Sequence, residues 1–352
     1  MSEEEILFSV KRGIARIVLN RPKALNALTL PMVRLLDPKL REWAADDAVK
    51  AVVISGAGDR AFCAGGDVAS IYRNKKEGDG SVGRDFFREE YIVNRMIFRF
   101  PKPWIALLDG ITMGGGVGLS VHGPFRIATE KFLFAMPETG IGLFPDVGGG
   151  HFLPRLPGQL GMYLALTGNR LKAADALYAG VATHFIHSNR LPAVIEALEE
   201  TLWSGDAIGD VGLVLDEFTG DAGPATLPPQ RALIDTHFAG DSVEAIVNSL
   251  QSSNDEWAAK TAAALARLSP TSMKITFRQI RSGASMSFED IMTMEYRMSQ
   301  GCVAGHDFFE GVRAVLIDKD NAPKWQPADL AGVTPDIVER HFAPVGNDLS
   351  FK

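Results

Sequence analysis

The order of apolar patterns along the chain predicts an α/β fold followed by a mainly helical C-terminal region. Three observations carry this. Short β-type runs alternate with Gly-rich turns and helical stretches as far as about residue 190. Glycine is crowded into that part: 18 of the 35 glycines lie between Gly56 and Gly150, where the usual ~7% would place about 7. Beyond Leu191, helical periodicity replaces the alternation. The expected organisation is a core over residues 1–190 and a helical region over 191–352 that covers it.

The chain opens with two β-type runs, Ile6 to Val10 and Ile14 to Leu19, joined by Lys11-Arg12-Gly13, which read as a hairpin. Asn20 to Lys23 breaks the pattern, and Ala24 to Asp47 reads mostly helical, with Thr29 as N-cap and Pro31 in the first turn. Pro38 lies inside that pattern and is expected to kink or shorten it. Lys50 to Ser55 reads as a buried strand, Lys75 to Gly83 as a surface loop, and Phe86 to Phe100 as a helix stopped by Pro101. Trp104 to Leu108 is a further strand, followed by a Gly-rich turn, a helix reaching His122, a strand near Phe125 to Thr129 and a loop from Pro137 to Gly150. The C-terminal helices are expected over Ala193 to Trp203, Val243 to Leu268, Phe288 to Val303 and Asp307 to Asp318.

A net charge of −7 argues against a nucleic-acid or anionic-membrane surface. Two cysteines, Cys63 and Cys302, support neither a disulfide framework nor a four-cysteine zinc site. The start, Met1 to Glu5, is acidic and has no apolar or Arg-rich leader character, so a cytoplasmic location is expected. No uncharged run is long enough and free enough of glycine to span a bilayer.

Three segments carry chemistry. In Ala61-Phe62-Cys63-Ala64-Gly65-Gly66-Asp67, adjacent glycines after a strand let backbone N–H groups face a cavity. In Gly110 to Leu119, a strand runs into Gly114-Gly115-Gly116 at the start of a helix, where N–H groups lack intrahelical partners. One donor from each turn is what an oxyanion hole needs, although tight packing of helix on strand would use the same glycines. The third segment, Met136 to Gly150, sets Glu138 and Asp146 in an apolar, Gly/Pro-structured loop. Burial there would raise and separate their pKa values, as acid/base work requires. A surface Glu and a helix-capping Asp would fit the same residues.

Together these segments resemble the crotonase (enoyl-CoA hydratase/isomerase) superfamily. The resemblance rests on Asn20-Arg-Pro-Lys-Ala-Leu-Asn-Ala-Leu28, Ala64-Gly65-Gly66-Asp67, Gly114-Gly115-Gly116 and Pro137-Glu138, which occur in the family's order and spacing. It implies a spiral of ββα turns, a C-terminal helical region and an acyl-CoA substrate, with coenzyme A part of the substrate and no separate cofactor. It further implies that Gly66 and Gly115 N–H hold the thioester oxygen, that Lys23 lies near the CoA phosphates, and that a trimer or hexamer can form. Hydratases of this family carry two glutamates; here the second stands as Glu138, but the first position is Gly118. With Asp146 eight positions after Glu138, the pattern is similar to the branch that hydrolyses short 3-hydroxyacyl-CoA thioesters in valine breakdown. Phe87 to Tyr91, Phe144 to Gly150, Ser269 to Thr276 and Glu310 to Asp320 agree with that branch. The resemblance implies Glu138 and Asp146 as catalytic residues, with Glu90, Gly115, Glu138 and Asp146 contacting substrate. Hydratase or isomerase activity, and acyl-CoA binding without catalysis, are the alternatives.

Overall fold

The computed structural model describes residues 4–351, so Met1, Ser2 and Glu3 of the acidic start lie outside the described residues. Strands β1 (Ile6–Lys11) and β2 (Ile14–Leu19) form the expected antiparallel hairpin, with Lys11 opposite Ile14. Arg12 and Gly13 make the turn at φ +48° and +84°. From there the chain repeats a single device. It lays one strand in a large sheet, β3 (Ala51–Gly56), β5 (Trp104–Leu108) and β7 (Phe125–Ala128). It then lays one in a small sheet, β4 (Ala61–Cys63), β6 (Ile111–Met113) and β8 (Leu133–Ala135). A helix or helical turn follows each pair. A last short strand, β9 (His184–Phe185), joins the large sheet, whose order is β1-β2-β3-β5-β7-β9; the small sheet runs β4-β6-β8. Past β1 every pairing in the large sheet is parallel. This is the ββα spiral, and after β9 the described chain holds helices and no strand.

The chain resolves into two compact units, each assembled from three segments. The first takes the residues up to Gly66, Ile92–Phe134 and Leu171–Leu227; the second takes Asp67–Tyr91, Ala135–Arg170 and the chain from Pro228 onward. Both units therefore draw on residues from either side of position 190. The core of the first unit packs Ile14, Val53, Ile105, Leu107 and Ile127 of the sheet against Leu191, Val194 and Leu198 of one helix and Val211 and Leu215 of another. Strands covered in this way are continuously apolar, which is why β3 and β5 read so clearly from sequence. The second unit is mainly helical, with Tyr163 stacked edge-on to Phe238 at 5.2 Å inside it.

Several expectations are corrected in detail. The first helix starts at Leu30, not Ala24, with Thr29 as its cap accepting from Met32 N–H at 3.2 Å, and it runs unbroken through Pro38 to Ala45. The residues before it form a 3-10 turn, Pro22–Ala24, followed by Leu25 and Asn26 at φ +52° and +56°. The expected loop Lys75 to Gly83 is occupied by the ends of two helices, Val68–Glu77 and Ser81–Phe98. The helix expected to reach His122 is a single turn, Gly115–Gly118. Val243 to Leu268 is two helices, parted where Asp255 caps the second. Helices over Ala207–Phe218, Pro270–Gly283 and Pro335–Phe342 are additional to those expected.

Candidate active site

In the first unit, two turns bring the glycine motifs together. Asn26 fixes one of them: its buried side-chain amide donates to Ala57 O at 2.9 Å and Ala61 O at 2.8 Å, and its Oδ1 accepts from Arg21 N–H. Leu28 then bridges to Gly66, through Leu28 N–H onto Gly65 O at 2.8 Å, and the N–H of Gly66 takes no part in that bridge. The other turn opens the helix Gly115–Gly118 behind Gly114, which caps it at φ +46°. As the first residue of a helix, Gly115 has no intrahelical acceptor for its N–H. A Cβ on Gly65 would sit only 3.9 Å from Gly115 N, so the two Gly-rich turns are neighbours. Gly116 serves packing instead: a Cβ there would lie 2.3 Å from Cys63 O, so the helical turn rests directly on β4. Close packing of the helical turn on the strand, one of the two readings of these glycines, is therefore present at Gly116, next to Gly115. Lys23 is exposed on the Pro22–Ala24 turn.

The second unit holds the carboxylates. Glu138 opens a 3-10 turn, Glu138–Ile141, closed by Gly142 at φ +72°. A Cβ at Gly142 would lie 2.2 Å from Asp307 O, so the turn is pressed against the helix Asp307–Val312. Asp146 follows in a tight turn whose Gly149 N–H donates to Asp146 O at 2.8 Å. Val147, between them, is held at φ +51°, a conformation that costs a β-branched residue on the order of 1–3 kcal/mol. Glu90 sits on the helix Ser81–Phe98. Glu90, Glu138 and Asp146 are 2%, 5% and 4% exposed. Glu138 is therefore no surface Glu, and the helix Gly149–Phe152 that follows Asp146 is capped by Gly148 with no side-chain cap bond.

Removing these groups from water disfavours their charged forms. Burial, and then the charge of Asp146, pushes the Glu138 carboxyl well above the usual carboxylate range. Burial, then Asp146 and Glu138, does the same to Glu90. Asp146 rises to about 7 through burial, opposed by the Tyr91 hydroxyl that donates to its Oδ2 at 2.8 Å. Glu138 Oε2 and Glu90 Oε1 are buried without a hydrogen-bond partner. Unpaired carboxylate oxygens this deep are costly, and such groups cluster where chemistry uses them.

Three participants were not singled out from the sequence. Tyr91 is one; Glu295 and Gln279 are the others, on the helices Phe288–Ala304 and Pro270–Gly283. Glu295 accepts from Gly148 N–H and Gly150 N–H at 2.8 Å each, and Gln279 donates both to Glu295 and to Pro145 O. Tyr91 lies in the matched segment Phe87 to Tyr91, but a Tyr following Glu90 is an ordinary core pattern on a helix, and a Glu and a Gln in amphipathic helices are ordinary surface patterns, so nothing local gave the three a role. Among the described residues no group of His, Cys, Asp and Glu side chains is arranged to hold a metal ion, and no helix is long and apolar enough to cross a membrane.

A ββα spiral with glycine amides at its strand ends and a desolvated carboxylate cluster defines an α/β enzyme of the crotonase type. The family model described as "Enoyl-CoA hydratase/isomerase" matches residues 14–342, and the chain belongs to that family. A Danio rerio protein named "3-hydroxyisobutyryl-CoA hydrolase, mitochondrial" is 54% identical over 96% of this chain and 89% of its own length. A Homo sapiens protein of the same name is 48% identical over 99% of this chain and 91% of its own. Among solved structures, a carnitinyl-CoA dehydratase from Mycobacterium thermoresistibile is 40% identical with a TM-score of 0.92, covering 99% of both chains. An enoyl-CoA hydratase from Rhodobacter sphaeroides 2.4.1 is 41% identical with a TM-score of 0.91, over 99% of this chain and 100% of its own. The relatives' mitochondrial names overturn the cytoplasmic location expected from the acidic character of Met1 to Glu5.

Proposed function

We propose that the chain hydrolyses the thioester of 3-hydroxyisobutyryl-CoA, or of a similar short 3-hydroxyacyl-CoA, to the free acid and coenzyme A. The observation that carries this is Glu138: a buried carboxylate with one oxygen unengaged, beside the charge of Asp146, while Gly118 holds the place of a second glutamate. The names of the relatives at about half identity support the same reaction.

In this reading Gly66 and Gly115 N–H stabilise the oxyanion that forms at the thioester carbonyl, each donor contributing on the order of 3 kcal/mol. Glu138 either takes a proton from the attacking water or itself attacks the carbonyl carbon, giving a mixed anhydride that water then opens. Both routes add one water, break the carbon–sulfur bond and return a proton to the thiolate. Asp146 orients the hydroxyl or the water and assists protonation, and Glu90 shapes the acyl pocket. Single turnover in 18O-labelled water separates the routes: label entering the Glu138 carboxyl marks the anhydride.

The test compares thiol release from 3-hydroxyisobutyryl-CoA with hydration of crotonyl-CoA. Release is expected to dominate, and Glu138→Gln should lower it by about 10²- to 10⁴-fold. Near-normal release by the folded variant, or crotonyl-CoA hydration without thiol release, would overturn the assignment.

A further inference from the structure

We infer that Glu295, together with Gln279, is a positioning residue for Asp146: it clamps the turn Pro145–Gly150 from the C-terminal helices. The kinetic side of this inference rests on the function proposed above; the clamp itself does not.

The geometry is that of a buried carboxyl group gripping a backbone: burial pushes its pKa up to about 8, and the bonds from Gly148 and Gly150 N–H oppose that rise. Glu295 Oε2 accepts from Gly148 N–H at 2.8 Å, and Oε1 accepts from Gly150 N–H at 2.8 Å and from Gln279 Nε2 at 2.9 Å. The same Gln279 nitrogen donates to Pro145 O at 2.8 Å. Asp146 thus has its preceding carbonyl and two following amides tied, directly or through Gln279, to one buried carboxyl group. Glu295 is 0% exposed, and every hydrogen-bond partner it has among the described residues is a donor. The turn needs such a grip because Val147 is strained at φ +51° and Gly148 stands at +88°. Packing adds to it: a Cβ on Gly150 would lie 3.1 Å from Glu295 Oε1, and one on Gly283 would lie 2.0 Å from Gly150 O. Tyr91 holds the Asp146 side chain while Glu295 holds the backbone at Gly148 and Gly150 that follows it. Either hold released lets the carboxylate drift, and a shift on the order of 1 Å in a catalytic group can cost about 10²-fold in rate.

Glu295→Gln keeps the shape but replaces one acceptor oxygen by an NH2 group that faces a backbone N–H. Its kcat for thiol release is expected to fall by about 10- to 100-fold with KM within about threefold of wild type. A cycle with Asp146→Asn identifies the route: if Glu295 acts through Asp146, the second substitution costs less than about threefold on top of the first. Full multiplicative loss in the double variant, or unchanged kcat in folded Glu295→Gln, overturns the proposal. Gln279→Met keeps both glycine bonds and frees Pro145 O; a smaller loss in the same cycle is expected, and it carries the test should Glu295→Gln not fold. Hydrogen exchange needs no substrate: Gly148 and Gly150 should lose protection in Glu295→Gln by at least about tenfold. Unchanged protection overturns the clamp. A wild-type chain that releases no thiol would sink the proposed function and leave exchange to decide the clamp.

Discussion

At Glu138 the two causes of its raised pKa can be separated by experiment. Burial acts first and the Asp146 charge second, both disfavouring the anion. The carboxylate must be ionised to act as base or nucleophile, so the acid limb of kcat/KM should sit well above the pH of about 4.3 of an ordinary glutamate. Asp146→Asn removes the like charge, lowers the Glu138 pKa and should move the limb to lower pH even as the rate drops. Thiol release followed from about pH 4 to 9 reads both; a wild-type limb at the ordinary carboxylate value would contradict the burial argument. Glu138 and Asp146 were legible from the sequence because an acidic pair in an apolar Gly/Pro loop is unusual at short range. Tyr91 was not legible, since it is 55 positions from the Asp146 it bonds.

At the scale of elements, local chemistry was readable and interruptions were not. The hairpin β1–β2 and the Thr29 cap follow from neighbouring residues, whereas Pro38 lies within a helix that stays continuous. Helix propensity alone favours a break there, but Met32, Val33, Leu36, Leu40 and Trp43 are all buried along that helix, and their packing outweighs it. Where helix meets strand the margin is small. Gly116→Ala would place a Cβ 2.3 Å from Cys63 O, and backbone cannot rotate away as a side chain can. The variant should lose roughly 1–3 kcal/mol, whereas Thr29→Ala should lose about 1 kcal/mol through its cap. Denaturant midpoints measure both; a Gly116→Ala variant as stable as wild type would mean that β4 and the Gly115–Gly118 turn move apart freely.

For the whole molecule, the buried carboxyls set the pH dependence of stability. The folded-state pKa values of Glu90 and Glu138 are raised well above ordinary, and that of Asp146 is raised to about 7. The stability such groups contribute is full below their unfolded pKa, about 4, and is lost as pH rises through the folded value. Tm is therefore expected to decline from mildly acidic towards alkaline pH, and Glu90→Gln should flatten that decline. A calorimetric series across the range checks it, and an equal decline in the variant would assign the effect elsewhere. By itself the sequence determined the α/β class, the Gly-rich turns at residues 65–66 and 114–116, and the acidic pair Glu138 and Asp146. Each depends on residues within a few positions of one another, where backbone stereochemistry and spacing suffice. Only the tertiary structure decided that Glu138, Asp146 and Glu90 are desolvated, and that a glutamate 145 to 147 positions downstream grips the turn behind Asp146. Burial and long-range hydrogen bonding are properties of how distant segments pack, and no local pattern encodes which distant segment will arrive.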